Sequence, residues 1–148
     1  MIPRLFLDTN ILLDILLARQ GYESGLELLQ AGVDGAVSLH TSVLSMANIA
    51  YLLRKDQTGL ILPPTMKQLS SLVGILPMDQ TQFERALLLS GPDFEDILQA
   101  VCAEAGQCTA IITRNPKHFH IRKGLLSDWT LPTVETPEEY LMPRPDSH

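Results

Sequence analysis

The sequence predicts an α/β fold in which helices cover both faces of a parallel sheet. Two observations carry this. Short apolar runs alternate with longer stretches of helical periodicity, the pattern of successive βαβ units. The chain has 148 residues, 45% of them apolar, enough to bury one core without disulfide staples. A single domain is therefore expected over residues 1–142, with a disordered tail over 143–148. Right-handed crossovers follow from such an arrangement, and ligands are expected outside the carboxyl ends of the strands.

The elements read in order. Arg4-Leu5-Phe6-Leu7 is short and apolar and meets Asp8-Thr9-Asn10 at once, which reads as a buried strand ending at Asp8. Ile11, Leu12, Ile15 and Leu16 then repeat at helical spacing, so a helix starts near Thr9 or Asn10, either of which can cap it. A second helix is expected over 22–31, stopped by Gly32. Residues 36–39 read as a second strand. Thr41 or Ser42 then caps a helix with Val43, Met46, Ala47, Ala50 and Tyr51 on one face, ending near Lys55, with a loop from Gly59. Pro63-Pro64 marks a break, and Thr65 caps a helix to about Val73. Residues 74–77 form a short strand. Asp79 or Thr81 opens a helix to Leu89, and Gly91-Pro92 stops it. Asp93 caps a helix to about Ala105, ended by Gly106. Residues 109–113 form the next strand, 114–123 a loop, and a last short strand is expected near Thr133-Val134.

Charge and composition exclude several classes. Seventeen acidic and eleven basic residues give a net charge of -6, which argues against a globally basic coat for nucleic acid but leaves room for a local basic patch. Residues 5–17 are apolar but cut by Asp8, Asn10 and Asp14, too short and too polar for a membrane span. The start carries no clean apolar stretch with a cleavage site, so no signal peptide is expected. Cys102 and Cys108 are too few for a disulfide framework and match no zinc spacing, and they are expected to be buried. A cytoplasmic setting fits best.

Three acids stand out. Asp8 follows a strand directly and precedes a helix, which places it at the rim of the sheet, where it would act as a site residue or a helix cap. Asp93 and Asp96 are three apart at the start of a helix and share one face. Asp96 lies beside the inward stripe of Ile97, Ala100 and Val101, an expensive place for an unpaired charge, whereas Glu95 is expected to point elsewhere into solvent. Neighbouring carboxylates repel unless a cation or a raised pKa resolves the conflict. Together Asp8, Asp93 and Asp96 suggest a Mg2+ or Mn2+ site that supports phosphodiester hydrolysis.

Three segments in order resemble the PIN-domain nucleases. Leu7-Asp8-Thr9-Asn10-Ile11-Leu12-Leu13-Asp14 resembles their opening motif, Asp93-Phe94-Glu95-Asp96-Ile97-Leu98-Gln99-Ala100 their third-acid helix, and Ile111-Ile112-Thr113-Arg114-Asn115-Pro116-Lys117-His118-Phe119 their late strand and loop. The resemblance runs from residue 4 to about residue 140. It implies a three-layer αβα sandwich around a central parallel sheet of about five strands, and metal-dependent endoribonuclease activity with Mg2+ or Mn2+. Many relatives are toxins of toxin–antitoxin pairs, which implies an antitoxin as a partner besides RNA. Relatives also often form dimers, and the apolar helices after Thr65 and Thr81 offer a face for a homodimer as well as for ordinary core.

By that resemblance Asp8 matches the family's first acid, Asp96 its third, and Asp93 an extra acid of the branch with this DFEDxLQ-like pattern. Asn10 is expected to support the first acid. Thr113 matches a hydroxyl residue near the site, expected to orient an acid or a water. Two positions depart from the common pattern. Asn48 stands where the helix after strand two usually supplies Glu. In the late loop, which usually carries Asp, Asn115 takes the first candidate position and His118 the second. Asn can ligate through its carbonyl but adds no charge. A second reading therefore stays open, a PIN-like module with a thinned acid set that holds RNA or a partner without cutting. A third, a phosphatase or dehalogenase of the haloacid dehalogenase kind, rests on Asp8 after its strand. It needs a second Asp where the chain has Asn10.

The late loop adds positive charge. Arg114, Lys117, Arg122 and Lys123 fall within ten residues, interleaved with His118, Phe119 and His120, on the loop that adjoins the acids. They are candidate phosphate-binding residues for RNA. His118 and His120 are expected at the surface. Arg54-Lys55 suits the carboxyl end of a helix dipole, and Trp129 and Tyr140 are expected to cover the core.

Overall fold

A computed structural model describes residues 1–55 and 61–143. Five parallel strands form one sheet in the order β3-β2-β1-β4-β5. They are β1 (Arg4–Leu7), β2 (Ser38–Ser42), β3 (Gly74–Leu76), β4 (Ala110–Ile112) and β5 (Thr133–Glu135). Helices α1 (Thr9–Leu17) and α2 (Tyr22–Val33) join β1 to β2. Helices α3 (Val43–Lys55) and α4 (Leu62–Leu72) flank the passage from β2 to β3, and α5 (Gln80–Leu87) and α6 (Phe94–Ala105) that from β3 to β4. A short α7 (Pro137–Leu141) ends the described chain.

The strand order explains the layers. The chain steps outward from β1 to β3, then returns to add β4 on the other side of β1. Right-handed crossovers put the helices of the outward run on one face and those of the return on the other. The core divides accordingly. Leu5, Leu7, Ala110 and Ile112 face the layer of α1 to α4, with Leu12, Leu28, Ile49 and Leu69. Phe6 and Ile111, one residue out of phase, face α5 and α6 with Ala100, Val101, Phe119 and Trp129. This is the expected αβα sandwich with five parallel strands. Cys102 and Cys108 are buried in the second layer, and burial pushes their thiols up to about 12 and about 11. Among the described residues, no helix is long and apolar enough to cross a membrane.

Several elements differ from their sequence expectation. Asp8, not Thr9 or Asn10, caps α1 and accepts from Thr9 N. Helix α2 continues through Gly32 to Val33, where Gly32 lets Leu39 approach closely: a Cβ there would lie 2.9 Å from Leu39 Cδ1. Strand β2 starts at Ser38 rather than 36 and reaches Ser42, because His40, Thr41 and Ser42 pair with β3. Helix α4 begins at Leu62, so Pro63 and Pro64 lie in its first turn, where a missing N–H costs nothing. The inward face of α3 is Ser45, Met46, Ile49 and Leu53, while Val43 and Tyr51 are exposed. Helix α7 was not expected, although Thr136 and Glu139 build a full capping box at its start. Helix α6 has the expected bounds, 94–105. The expected loop at Gly59 and residues 144–148 of the expected tail lie outside the described residues.

Candidate active site

Strands β1 and β4 are neighbours in the sheet but distant in sequence, so the chain diverges at their carboxyl ends. Crevices of this kind hold ligands in open α/β sheets. Asp8 follows β1 and Thr113 follows β4. Asp8 N donates to Ile112 O at 2.9 Å, and Thr113 N donates to Glu135 O at 2.9 Å, so the last rungs of the ladder fix both residues.

Asp8 is 9% exposed, and its carboxylate is held at both oxygens. Oδ1 accepts from Thr9 N at 2.8 Å and Oδ2 from the Thr113 hydroxyl at 2.9 Å. The Thr113 hydroxyl in turn accepts from Asn115 N at 3.2 Å, which ties the late loop to the same acid. Beneath the acids lies a buried polar network. Ser45 Oγ accepts from Thr9 Oγ1 and from Gln99 Nε2, each at 2.8 Å. Ser42 Oγ donates to Gln99 Oε1 at 2.5 Å and accepts from Ser45 N at 2.9 Å, capping α3. Helices α1, α3 and α6 are thereby locked in register under the site.

A cleft of about 260 Å³ opens above this network, lined by Asp8, Thr9, Asn10, Asn48, Tyr51, Leu52, Glu95, Asp96, Asn115 and His118. Asp96 reaches it from the first turn of α6, its side chain 18% exposed. Burial pushes the Asp96 carboxyl up to about 7, and Asp8 and Asp93 press in the same direction. Burial also raises Asp8, against the pull of its bonds from Thr113 and Thr9. His118 Nδ1 stands 3.8 Å from Asp96 Oδ2. The carboxylates thus crowd a partly dehydrated space, a charge arrangement that a hard cation would relieve. Among the described residues no three His, Cys, Asp or Glu side chains converge tightly enough to hold a metal by themselves. Two carboxylates completed by water and phosphate oxygens are the usual Mg2+ arrangement, and Asp8 with Asp96 fits it.

The structure brings together Asp8, Asp96, Asn10, Asn48 and Asn115 at the cleft, with Thr113 directly behind Asp8. Asp93 is placed differently. It is exposed and caps α6 through Asp96 N at 3.2 Å, outside the lining of the cleft. Glu95, expected to point away, lines the cleft and accepts from Asn48 Nδ2 at 2.6 Å. His118 is exposed, as expected, yet faces an acid.

The four basic residues of the late loop do not converge. Arg114 Nε lies 3.2 Å from Oδ2 of Asp14, a nearly buried acid of α1 that also meets Arg19 at 3.8 Å. Burial raises the Asp14 carboxyl while Arg114 and Arg19 pull it down. Arg122 pairs through its backbone with Ser90 and lines a separate cavity with His120. Lys117 and Lys123 are exposed. Reasoning from the sequence missed Asp14 and Glu95 as parts of this region. Asp14 carried a signal, since it follows the inward stripe of α1 by one turn from Ile11.

A family model described as PIN domain matches residues 4–117. No curated protein matches the chain. Among solved structures, VapBC2 from Rickettsia felis bound to a DNA fragment of its promoter is similar at a TM-score of 0.62 and 19% identity, covering 90% of this chain and 98% of that one. A toxin–antitoxin complex from Klebsiella pneumoniae gives a TM-score of 0.62 at 21% identity, with 89% and 96% covered. FitAB bound to an IR36 DNA fragment gives 0.61 at 19% identity, with 90% and 94% covered. At these identities the likeness is one of fold.

Proposed function

The chain belongs to the PIN domain family, and on that premise we propose that it is a divalent-metal-dependent endoribonuclease acting as the toxin of a toxin–antitoxin pair. The observation that carries the reading is the crowding of Asp8 and Asp96 in one cleft at the point where β1 and β4 diverge. Asp8 and Asp96 would hold Mg2+ or Mn2+. Such a cation, when bound, activates water and neutralises charge developing on the phosphate. The chain's own groups orient the acids. The Thr113 hydroxyl and Thr9 N fix the Asp8 carboxylate, and the Gln99 amide fixes α6 beneath Asp96.

Glu95 adds a third carboxylate at the rim, held by Asn48. Asp93 acts from behind, by capping α6 and by raising the charge density around Asp96. Asn10 and Asn115 offer neutral oxygens at the lip. Lys117, Arg122 and Lys123 would meet RNA phosphates on the flank, whereas Arg114 clasps the late loop to α1. The solved complexes named above support an antitoxin as partner. A second copy is a further partner, since Phe83 and Leu87 of α5, with Leu88 and Phe94, are exposed apolar groups. The one domain is taken to end at residue 142.

A binding module without cleavage is the second reading, favoured by Asn48 and Asn115 at positions where the family usually has acids. Incubation with a mixed tRNA and messenger RNA pool in EDTA, Mg2+ or Mn2+ separates the two. Metal-dependent shortening of RNA, abolished in Asp8→Asn plus Asp96→Asn, is expected. RNA retained on a gel but never shortened would replace the nuclease by the module.

A further inference from the structure

The cleft has two unlike walls. One is acidic, with Asp8, Asp96 and Glu95. The other is the last turns of α3, where Tyr51 and Leu52 stand three and four residues after Asn48 and share its face. Tyr51 is 50% exposed and Leu52 42%, although both lie on a helix whose opposite face, Met46, Ile49 and Leu53, is fully engaged in core. Arg54 lies over the Tyr51 ring, with its guanidinium carbon 5.5 Å from the ring centre.

We propose that Tyr51, backed by Arg54 and flanked by Leu52, is a stacking platform for an unpaired nucleobase next to the phosphate held at the acids. The proposal rests on the RNA-cleaving reading and names its substrate as single-stranded RNA at that point. The chemistry of the wall selects the ligand. The Tyr51 ring and the branched alkyl group of Leu52 match the flat apolar face of a base, whereas a phosphate would use the Tyr51 hydroxyl or the Arg54 guanidinium, a contact that Tyr51→Phe and the salt dependence tell apart. Aromatic side chains and guanidinium planes are the usual platforms for splayed-out bases. The acidic wall repels a second phosphate, so the chain beyond the reacting group must turn its base, not its backbone, toward α3. Every base has such a face, so the platform grips without reading sequence.

The test measures binding and not turnover. Fluorescence anisotropy of the full chain with Ca2+ present compares a labelled eight-residue oligouridylate with an abasic ribose-phosphate oligomer of the same length and charge, and gels check that both stay intact. Wild type is expected to bind the base-bearing oligomer on the order of tenfold more tightly than the abasic one. Tyr51→Ala is expected to lose that preference while keeping its affinity for the abasic oligomer. Tyr51→Phe is expected to retain it, and the salt dependence of binding is expected to stay the same in all three, because no phosphate contact is removed. Equal binding of oligouridylate by Tyr51→Ala and wild type overturns the platform. So does an equal loss on both oligomers, the mark of a damaged surface or of a wall built for a protein. If wild type binds neither oligomer, the RNA reading of the cleft falls, and the platform with it.

Discussion

Replacing Asp96 by Asn should stabilise the metal-free protein, and the gain should grow as pH rises. In the folded chain the Asp96 carboxyl is pushed from 3.8 up to about 7, first by burial and then by Asp8 and Asp93. In the unfolded chain it titrates near its ordinary value. Between those limits the folded state keeps a proton that the unfolded state has released. The linkage slope is then negative, so stability falls as pH climbs through the window and is fully lost above about 7. Each tenfold step in proton affinity is worth about 1.4 kcal/mol, which sets a ceiling of about 4 kcal/mol. The side chain still reaches solvent over 18% of its surface, so screening cuts the expected cost to about 2 kcal/mol. For a chain of this length that is roughly 4–8 °C in melting temperature. Thermal melts in EDTA at pH 4 and pH 8 read it directly: Asp96→Asn should melt close to wild type at pH 4 and clearly higher at pH 8. Adding Mn2+ at pH 8 should reverse the order, since only wild type gains from a bound ligand, by about 2.7 kcal/mol at a hundredfold excess over Kd. A gain that ignores pH, or a loss at pH 8, would refute the account of a crowded, dehydrated acid.

Other expectations follow from single contacts. Thr113→Val removes the hydroxyl from Asp8 Oδ2 with little change of shape; RNA cleavage or Mn2+ affinity should drop about 10- to 100-fold, and Thr113→Ser should recover most of it. Gln99→Met takes the acceptor of the Ser42 hydroxyl and one of the two donors to Ser45 Oγ out of a dry network, and urea unfolding should show a loss of about 2–3 kcal/mol that is the same at pH 5 and pH 8. Arg114→Ala leaves the buried Asp14 with only Arg19 and should cost about 1–3 kcal/mol of stability. Lys117→Ala or Lys123→Ala should leave stability alone and instead reduce the salt slope of RNA binding by about 1 each. A stable Arg114→Ala protein with the same loss of salt slope would make Arg114 a phosphate contact after all.

The strand and helix order was legible because it is local chemistry. An apolar run closed by a polar cap reads the same in isolation as in the fold, and α6 needed only Asp93 before it and Gly106 after it. Helix α3 was legible in extent but not in phase. Its one serine looks like a solvent residue, yet Ser45 lies at the centre of the network with Thr9 and Gln99, and Tyr51, which looks like core, stands at the cleft. The partners that draw Ser45 inward are 36 and 54 residues away, so no window on α3 contains the reason. The same holds for Arg114. A cation in a basic loop reads as a phosphate contact until Asp14, on another element, is seen beside it.

Of the three acids that stand out in the sequence, Asp8 and Asp96 line the cleft and Asp93 lies outside its lining. The spacing of Asp93 and Asp96 places both at the start of α6, but Asp93 stands just before the helix with its Oδ1 on Asp96 N, and only Asp96 lines the cleft. Asn48 looked like the loss of an acid. In the fold its amide donates to Glu95 at 2.6 Å, so the neutral residue on α3 and the carboxylate on α6 form one pair. An acid at 48 would set two carboxylates against each other at that distance, beside Asp8 and Asp96 already crowded. The amide removes that conflict and holds Glu95 at the rim. The cleft thus has its third carboxylate on α6, in Glu95, and α3 carries no acid where the apolar wall of Tyr51 and Leu52 begins.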